Sequence, residues 1–291
     1  MKKIFAIILV CMVTFLSACN VESHKYKRID FRSDSLGEEL ADHLSEDTEI
    51  VKQAQCEAPT QLPIYEISKR NISEQEYQQM LEALDLPATP YFLELEENKL
   101  DYDLASIVDS SRGYFEGTDA EAEALAWEIF NQIPFIEGQW ECEGIKDTYT
   151  MSDSAGEHIL RAGVRFKRVL DGVRVTGEEK CVLYFDGSGL VEISITLFNY
   201  NCIGSMDLVT LEEAETRIKT PDHFIFGMTY GAAQRLSVEK ISVCYVNQHS
   251  RGCEILQPVY VFSGTADMVD GGTTEFKSIV IAIPDKYTYE E

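Results

Sequence analysis

Cysteine is the residue of this chain best suited to covalent chemistry, and eight are present. Cys11 and Cys19 lie near the N-terminus. The other six are Cys56, Cys142, Cys181, Cys202, Cys244 and Cys253. They contain no C-x-x-C pair and form no tight cluster with histidine, so the spacing predicts no zinc site.

Residues 1–19, MKKIFAIILVCMVTFLSAC, are typical of an export signal: a basic start precedes an apolar run from Ile4 to Leu16. That run is too short for a permanent membrane helix of about 20 residues. The small pair Ser17-Ala18 directly before Cys19 resembles the lipobox of bacterial lipoproteins, in which the cysteine is diacylated and becomes the mature N-terminus. We therefore expect a signal peptide over 1–18 and a lipid on Cys19; the alternative is an ordinary signal with an incidental cysteine.

Two acyl chains would hold the protein stably on the membrane, at its extracytoplasmic face. In an exported chain an even number of cysteines favours disulfides. Fifteen connectivities exist for six cysteines, and three pairs stand out. Cys244 and Cys253 bracket a segment whose length suits a hairpin, Cys181 and Cys202 could staple another, and Cys56 with Cys142 follows by elimination. Each bridge would contribute about 2–4 kcal/mol.

The remaining polar residues give little indication of catalysis. No metalloprotease, nucleophile-elbow, Walker or dinucleotide-binding motif is present. The histidines are scattered in polar contexts: His24, His43, His158, His223 and His249. Two of the many carboxylates could meet to hydrolyse a glycoside, but nothing in the sequence selects a pair. We expect no enzymatic activity.

Candidate calcium ligands are equally weak. Asp101 and Asp103 lie close to Glu96 and Glu97, and Asp186 lies in a predicted turn. Their spacing lacks the alternation of an EF-hand loop, and solvated turns explain them as well. The sequence therefore predicts no metal and no cofactor.

Several aromatic residues on or beside predicted elements could capture an extended peptide or a glycan if they were exposed. They are Trp127, Trp140, Phe198, Tyr200, Tyr245 and Tyr260. At these periodicities, core packing is the commoner role.

The net charge of −25 argues against nucleic acid as a partner, because phosphate backbones need clustered Lys and Arg. Residues 24–28, HKYKR, form a local exception just after Cys19. They could rest on anionic headgroups and reinforce the anchor, or form a solvated linker.

Three capping boxes, each a hydroxyl residue followed three positions later by Glu, predict helix starts. They begin at Ser73, Thr118 and Thr210. Apolar residues follow at helical spacing, for example Tyr77, Met80 and Leu81 after the first box. Pro134 and Pro221 lie beyond the second and third segments.

Between the helices the apolar period falls to two, which indicates strands. Cys181–Phe185 and Val191–Leu197 flank the turn residues 186–189, and 164–169 and 173–175 flank Asp171-Gly172. Further strands are predicted at 241–246, 258–262 and 276–283. The prediction is an α+β fold in which helices pack on antiparallel sheets in repeated helix-plus-meander units. Its expected domains are a flexible stalk over 19–60, an N-terminal α+β unit over 61–160 and a second unit over 161–291.

The segment 166–177, FKRVLDGVRVTG, and the segment 181–193, CVLYFDGSGLVEI, together resemble the PepSY and YycI-like group of extracytoplasmic domains. A short helix of the 210–218 kind and a strand of the 256–262 kind, LQPVYVF, complete the resemblance, which covers roughly 162–284. It implies a protein without catalytic residues that modulates a sensor kinase, peptidase or cell-wall enzyme by contact.

Taken together, these observations predict a lipid-anchored lipoprotein that binds and modulates another envelope protein. The open edges of its sheets are the expected contact elements, since unpaired backbone groups invite strand addition. The alternatives are a solute- or glycan-binding lipoprotein and a secreted hydrolase that uses two carboxylates.

Overall fold

The computed structural model describes residues 25–29, 44–53, 59–107, 110–154, 156–218, 223–226 and 233–289, without the side chains of 44–46, 110, 153, 223–226 and 289. The predicted signal peptide, Cys19 and Cys56 lie outside these residues, as do His24 and His43.

The described elements, in chain order, are β1 (Tyr26–Lys27), β2 (Leu44–Lys52), β3 (Gln61–Lys69), α1 (Glu74–Ala83), β4 (Phe92–Glu96), β5 (Lys99–Asp103), α2 (Asp119–Phe130), β6 (Gln139–Asp153), β7 (Gly156–Leu170), β8 (Val173–Gly177), β9 (Lys180–Asp186), β10 (Gly189–Thr196), β11 (Phe198–Asp207), α3 (Leu211–Arg217), β12 (His223–Phe226), β13 (Ala233–Asn247), β14 (Gln257–Met268), β15 (Thr273–Ile281) and β16 (Thr288–Tyr289). Short 3₁₀ turns lie at Ser110–Arg112, His249–Arg251 and Asp285–Tyr287. The chain divides into two compact units, and the second, Ser68–Asn199, is inserted in the sequence of the first.

Unit one consists of the described residues up to Ile67 and from Tyr200 onwards. Strands β12, β15, β14 and β13 are neighbours in that order and antiparallel. On its other edge β13 pairs in parallel with β2, and β1 pairs in parallel with β16. Strands β3 and β11 form a separate pair. The core of this unit includes Tyr26, Ile64, Met206, Cys253 and Val259.

Unit two is built on a sheet in the order β6, β7, β9, β10, β5, β4, with every neighbouring pair antiparallel. The turn from β7 to β8 is Asp171-Gly172, with φ of 48° and 80°. Positive φ at both positions is the geometry of a type I′ hairpin turn, so the predicted turn is confirmed. The predicted hairpin of β9 and β10 is also present, joined by Gly187-Ser188.

The three predicted helix starts are present. Ser73 and Thr118 each form a complete capping box, and the Thr210 hydroxyl accepts a hydrogen bond from the Glu213 amide. Helix α1 buries Tyr77, Met80 and Leu81 in the core of unit two, as its spacing predicts. This core lies entirely within 72–197.

The expected α+β fold of repeated helix-plus-meander units is wrong. The described residues form sixteen strands and only three α-helices, and parallel as well as antiparallel pairs occur. Strands such as β2, β4 and β6 escaped prediction because they are rich in charged residues. Strands β4 and β6 pair with the next strand along the chain, whereas β2 pairs with β13, a distant partner that local periodicity does not report.

The domain limits also differ from the expected ones. The boundary expected at 160/161 falls inside β7, and parts of the segment expected as a flexible stalk are strands β1 and β2. The buried Thr48 of β2 donates its hydroxyl to the Ala233 carbonyl at 2.9 Å. A charged segment can thus be ordered through its backbone and one buried hydroxyl. No helix within the described residues is long and apolar enough to span a membrane.

Candidate functional site

The sheet of unit two ends in a short hairpin formed by β4 and β5. A two-residue connection, Glu97-Asn98, joins them, and Glu97 has φ of 32°. The buried Asn98 donates its side-chain amide to the Leu197 carbonyl at 2.9 Å, and its own carbonyl accepts the Leu197 amide at 2.9 Å. The turn is therefore fixed to the chain that follows β10.

Strand β5 anchors the hairpin in the core. Its Leu100 and Tyr102 are buried, and the Tyr102 hydroxyl donates to the Pro87 carbonyl at 2.7 Å. On one side β5 pairs with β10 over five residues, and on the other with β4. Strand β4 is thereby held from one side by a rigid neighbour.

The other side of β4 is an open edge: among the described strands, β5 is its only partner. In a hairpin with a two-residue connection, hydrogen-bonded and non-hydrogen-bonded pairs alternate from the turn outwards. Glu96, Glu94 and Phe92 thus bond to β5, and Leu93 and Leu95 direct their backbone N–H and C=O groups away from it. These outward groups are suitable partners for an added strand.

Three consecutive large apolar side chains lie exposed at this edge. Tyr91, Phe92 and Leu93 are 67%, 47% and 41% exposed. The Tyr91 amide donates to the Asp103 carbonyl at 2.8 Å, which holds the start of the segment against β5. We call residues 91–96, with this outward backbone, the β4 edge. Consecutive exposed apolar residues at an unpaired strand edge are a feature that proteins usually avoid unless another chain covers them.

The opposite edge of the same sheet is different. Strand β6 pairs with β7 through three register irregularities, and it carries Lys146 and Asp147. Bulges and charges of this kind discourage strand addition. Of these two described edges, the regularly paired β4 edge, with its exposed apolar residues, is therefore the better suited to a partner strand.

One face of the hairpin is acidic. Glu94 and Glu96 of β4 share it with Asp101 and Asp103 of β5 and with Glu192 of β10. Glu94 is the register partner of Asp101, Glu192 is that of Asp103, and Glu96 lies two residues along the same face of β4. We call these five residues the acidic face. The Lys99 ammonium lies among them, 2.8 Å from carboxylate oxygens of both Glu94 and Asp101.

The inner part of the acidic face is partly desolvated. Burial raises the pKa of Asp103, and burial followed by the charge of Asp103 raises the pKa of Glu192 to about 6. The buried Arg161 donates to Glu192 at 2.7 Å and to the Ala105 carbonyl at 2.6 Å. Despite this cation, both carboxyls lie in surroundings that penalise further negative charge.

The predicted cysteine sites are distributed over both units. Cys142, Cys181 and Cys202 have free thiols in the structure; Cys181 is fully buried on β9, and Cys202 is exposed on β11. Cys244 lies on β13 opposite Val259, whereas Cys253 lies in the connection before β14, and both belong to the core of unit one. The three pairings and the lipid on Cys19 stay predictions.

The other candidate residues are buried or make contacts with neighbouring residues of the protein. Asp186 accepts the Ser188 amide at 2.8 Å and pairs with Arg112 at 2.5 Å, and Asp101 pairs with Lys99. The aromatic candidates Trp140, Phe198, Tyr245 and Tyr260 are buried. The His158 ring stacks on Tyr114. Within the described residues no group of three or more potential metal ligands occurs.

The apolar residues of the β4 edge were not identified from the sequence. The signal is nevertheless present: residues 92–96, FLELE, and 99–103, KLDYD, alternate apolar and charged residues on either side of a two-residue turn. Considered only as candidate calcium ligands, Glu96, Glu97, Asp101 and Asp103 do not reveal the hairpin that contains them.

No protein-family model matches this chain, and no curated protein matches it. The resemblance of 162–284 to PepSY and YycI-like domains stays a prediction.

Proposed function

We propose that this protein is an extracytoplasmic lipoprotein, anchored through Cys19, that binds and modulates another envelope protein, a sensor kinase or a peptidase. One observation carries the proposal of binding: three consecutive exposed apolar residues lie at the start of β4, which among the described strands is paired on one side only. The partner would add an extended segment to the β4 edge. Main-chain hydrogen bonds would contribute affinity, and alternate side chains would contribute specificity.

Crosslinking in intact cells tests this proposal. The unaltered protein should capture one envelope protein reproducibly. Leu93→Pro removes an outward N–H without removing a bond to β5, and Leu93→Lys adds a charge to the edge; both should abolish the capture. Met151→Lys, which changes an exposed apolar residue on β6, is the matched control and should leave it unchanged. Equal capture by all four proteins would contradict the proposal.

The anchor has a separate test. Cys19→Ser should move the protein from the membrane fraction to the soluble extracytoplasmic fraction, because the acyl chains can no longer be attached. Cys11→Ser, within the predicted signal peptide, is the control and should leave the protein on the membrane. A Cys19→Ser protein that stays membrane-bound would contradict the lipobox interpretation.

A hydrolase that uses two carboxylates is the second candidate. One observation favours it: Glu192 and Asp103 are direct cross-strand partners, and the pKa of each is raised. Glycoside hydrolysis uses a pair of carboxyl groups of which one keeps its proton, and a raised pKa favours the protonated form. Release of reducing sugar from envelope polysaccharide, lost in Glu192→Gln and in Asp103→Asn, would support it. Absence of release by the unaltered protein would count against it.

A further inference from the structure

The two faces of β4 carry side chains of different character. Leu93 and Leu95 lie on the face shared with the buried Leu100 and Tyr102. On the other face, Glu94 and Glu96 belong to the acidic face, and the exposed Phe92 lies beside them, opposite Asp103. A strand added to this edge keeps the same alternation, so its successive side chains meet an apolar row and an acidic row in turn.

Two cations near the acidic face are already engaged. Among the side chains that β4, β5 and β10 direct to this face, Lys99 is the one cation, and it is shared by Glu94 and Asp101. Arg161 reaches the face from β7 and pairs with Glu192. Lys180 of β9 lies on the same face of the sheet, opposite Thr196. Five carboxylates thus meet three cations, and the face retains an excess of negative charge.

We propose that the partner segment is an extended stretch in which basic residues alternate with apolar residues. Its apolar side chains would contact Leu93 and Leu95, and its Lys or Arg side chains would lie over the acidic face. This inference rests on the proposed function, because it specifies the occupant of the same edge.

The charge of the acidic face determines which extended segments bind to the β4 edge. Backbone hydrogen bonds alone would allow many extended segments to bind. A segment that places a carboxylate directly opposite Glu94 or Glu96 would be repelled by these residues. Basic residues at those positions are attracted, and the attraction is screened as salt increases. A segment with the same composition but without the alternation would direct part of its charge toward the apolar row.

Peptide binding to the mature, lipidated protein in detergent tests the inference. The probes are three fluorescent heptapeptides: Lys alternating with Val, the same residues arranged in two blocks, and Glu alternating with Val. Fluorescence anisotropy is measured at about 20 mM and about 150 mM salt. We expect the Lys/Val peptide to bind about tenfold more tightly than the block isomer and more weakly at the higher salt, and the Glu/Val peptide not to bind.

Variants locate the binding. Glu94→Gln with Glu96→Gln should weaken binding of the Lys/Val peptide about fivefold, because two carboxylates of the acidic face are lost. The matched control, Glu116→Gln with Glu137→Gln, changes exposed glutamates of unit two outside these strands and should have no effect. Leu93→Pro should abolish binding.

The outcomes separate this inference from the proposed function. Equal binding of the block isomer, or binding of the Glu/Val peptide at the same edge, would overturn the inference. The inference would also be overturned if the Lys/Val peptide did not bind while Leu93→Pro still abolished capture of the envelope partner. In that case the proposed function would stand without the inference. If Leu93→Pro changed neither measurement, both would fail.

Discussion

Glu192 is the residue whose burial has the clearest consequence for stability. Its side chain is only 15% exposed, and burial raises its pKa from 4.5 to about 6. The folded state therefore holds this proton more tightly than the unfolded state does. Accordingly, the contribution of Glu192 to the free energy of unfolding is highest at low pH, and it falls as the pH rises from 4.5 through 6.

The loss should amount to about 2 kcal/mol. Asp103, whose pKa is also raised, acts in the same direction, whereas Glu76 and Glu121, whose pKa values are lowered by hydrogen bonds, act in the opposite one. The informative quantity is therefore the difference between Glu192→Gln and the unaltered protein, measured by urea unfolding from pH 4 to pH 7. We expect a smaller decline in the variant. Glu128→Gln, on the exposed side of α2, should retain the decline, and an unchanged Glu192→Gln profile would contradict the argument.

The cysteines should differ in reactivity. In the reduced, folded protein, Cys202 is exposed and should be alkylated first, whereas Cys181 should react only on unfolding. Burial raises the pKa of the Cys181 thiol and so suppresses the reactive thiolate. Mass spectrometry of a timed alkylation measures this order. The non-reduced protein is the comparison: protection of Cys202 there would support its predicted bridge to Cys181, and early labelling of Cys181 in the reduced protein would contradict its placement.

At the scale of elements, the capping boxes test how much local sequence stabilises a helix. The Thr118 hydroxyl accepts the Glu121 amide, and the Glu121 carboxylate accepts the Thr118 amide at 2.9 Å. Thr118→Ala should lower the free energy of unfolding by about 1 kcal/mol, because amides at the helix start lose their partner. Thr118→Ser keeps the hydroxyl and should retain most of the stability. Chemical denaturation measures both, and equal losses would show that the cap contributes little.

The formation of the strands depends less on neighbouring residues in the sequence than the formation of the helices does. The hairpins of β7 with β8 and of β9 with β10 were predicted because turn residues and alternating strands are adjacent in sequence. The β4 edge was missed, although its pattern is just as local, because its exposed residues give no sign of which side lacks a partner. That property depends on the whole sheet order.

At the scale of the whole molecule, each unit has its own core. The core of unit two uses residues from Ile72 to Leu197 and none from unit one. A fragment of residues 68–199 should therefore fold by itself, with a strand-rich circular dichroism spectrum and a cooperative urea transition.

The fragment 61–160, which follows the domain limits expected from sequence, is the comparison. It ends inside β7 and lacks β9 and β10, so it loses core residues such as Phe166, Leu183 and Ile193. We expect it to remain unfolded. Cooperative folding of 61–160, or failure of 68–199, would contradict the division into these units.

The sequence by itself determined the features that depend on neighbouring residues. These are the helix starts at Ser73, Thr118 and Thr210, the Asp171-Gly172 turn, and the strands whose apolar residues alternate. Each depends on hydrogen bonds or side-chain spacing within a few residues, and such short-range patterns can be recognised directly in the sequence.

Only the tertiary structure decided the strand partners, the insertion of unit two and the exposure of the β4 edge. Charged segments such as β2 are ordered by backbone bonds to β13, nearly 200 residues away in sequence. Periodicity reports that a face is buried, but not which segment covers it or whether an edge is left open. The candidate binding site is therefore a property of the assembled sheet, because the proposed binding depends on the side of β4 that no described strand covers.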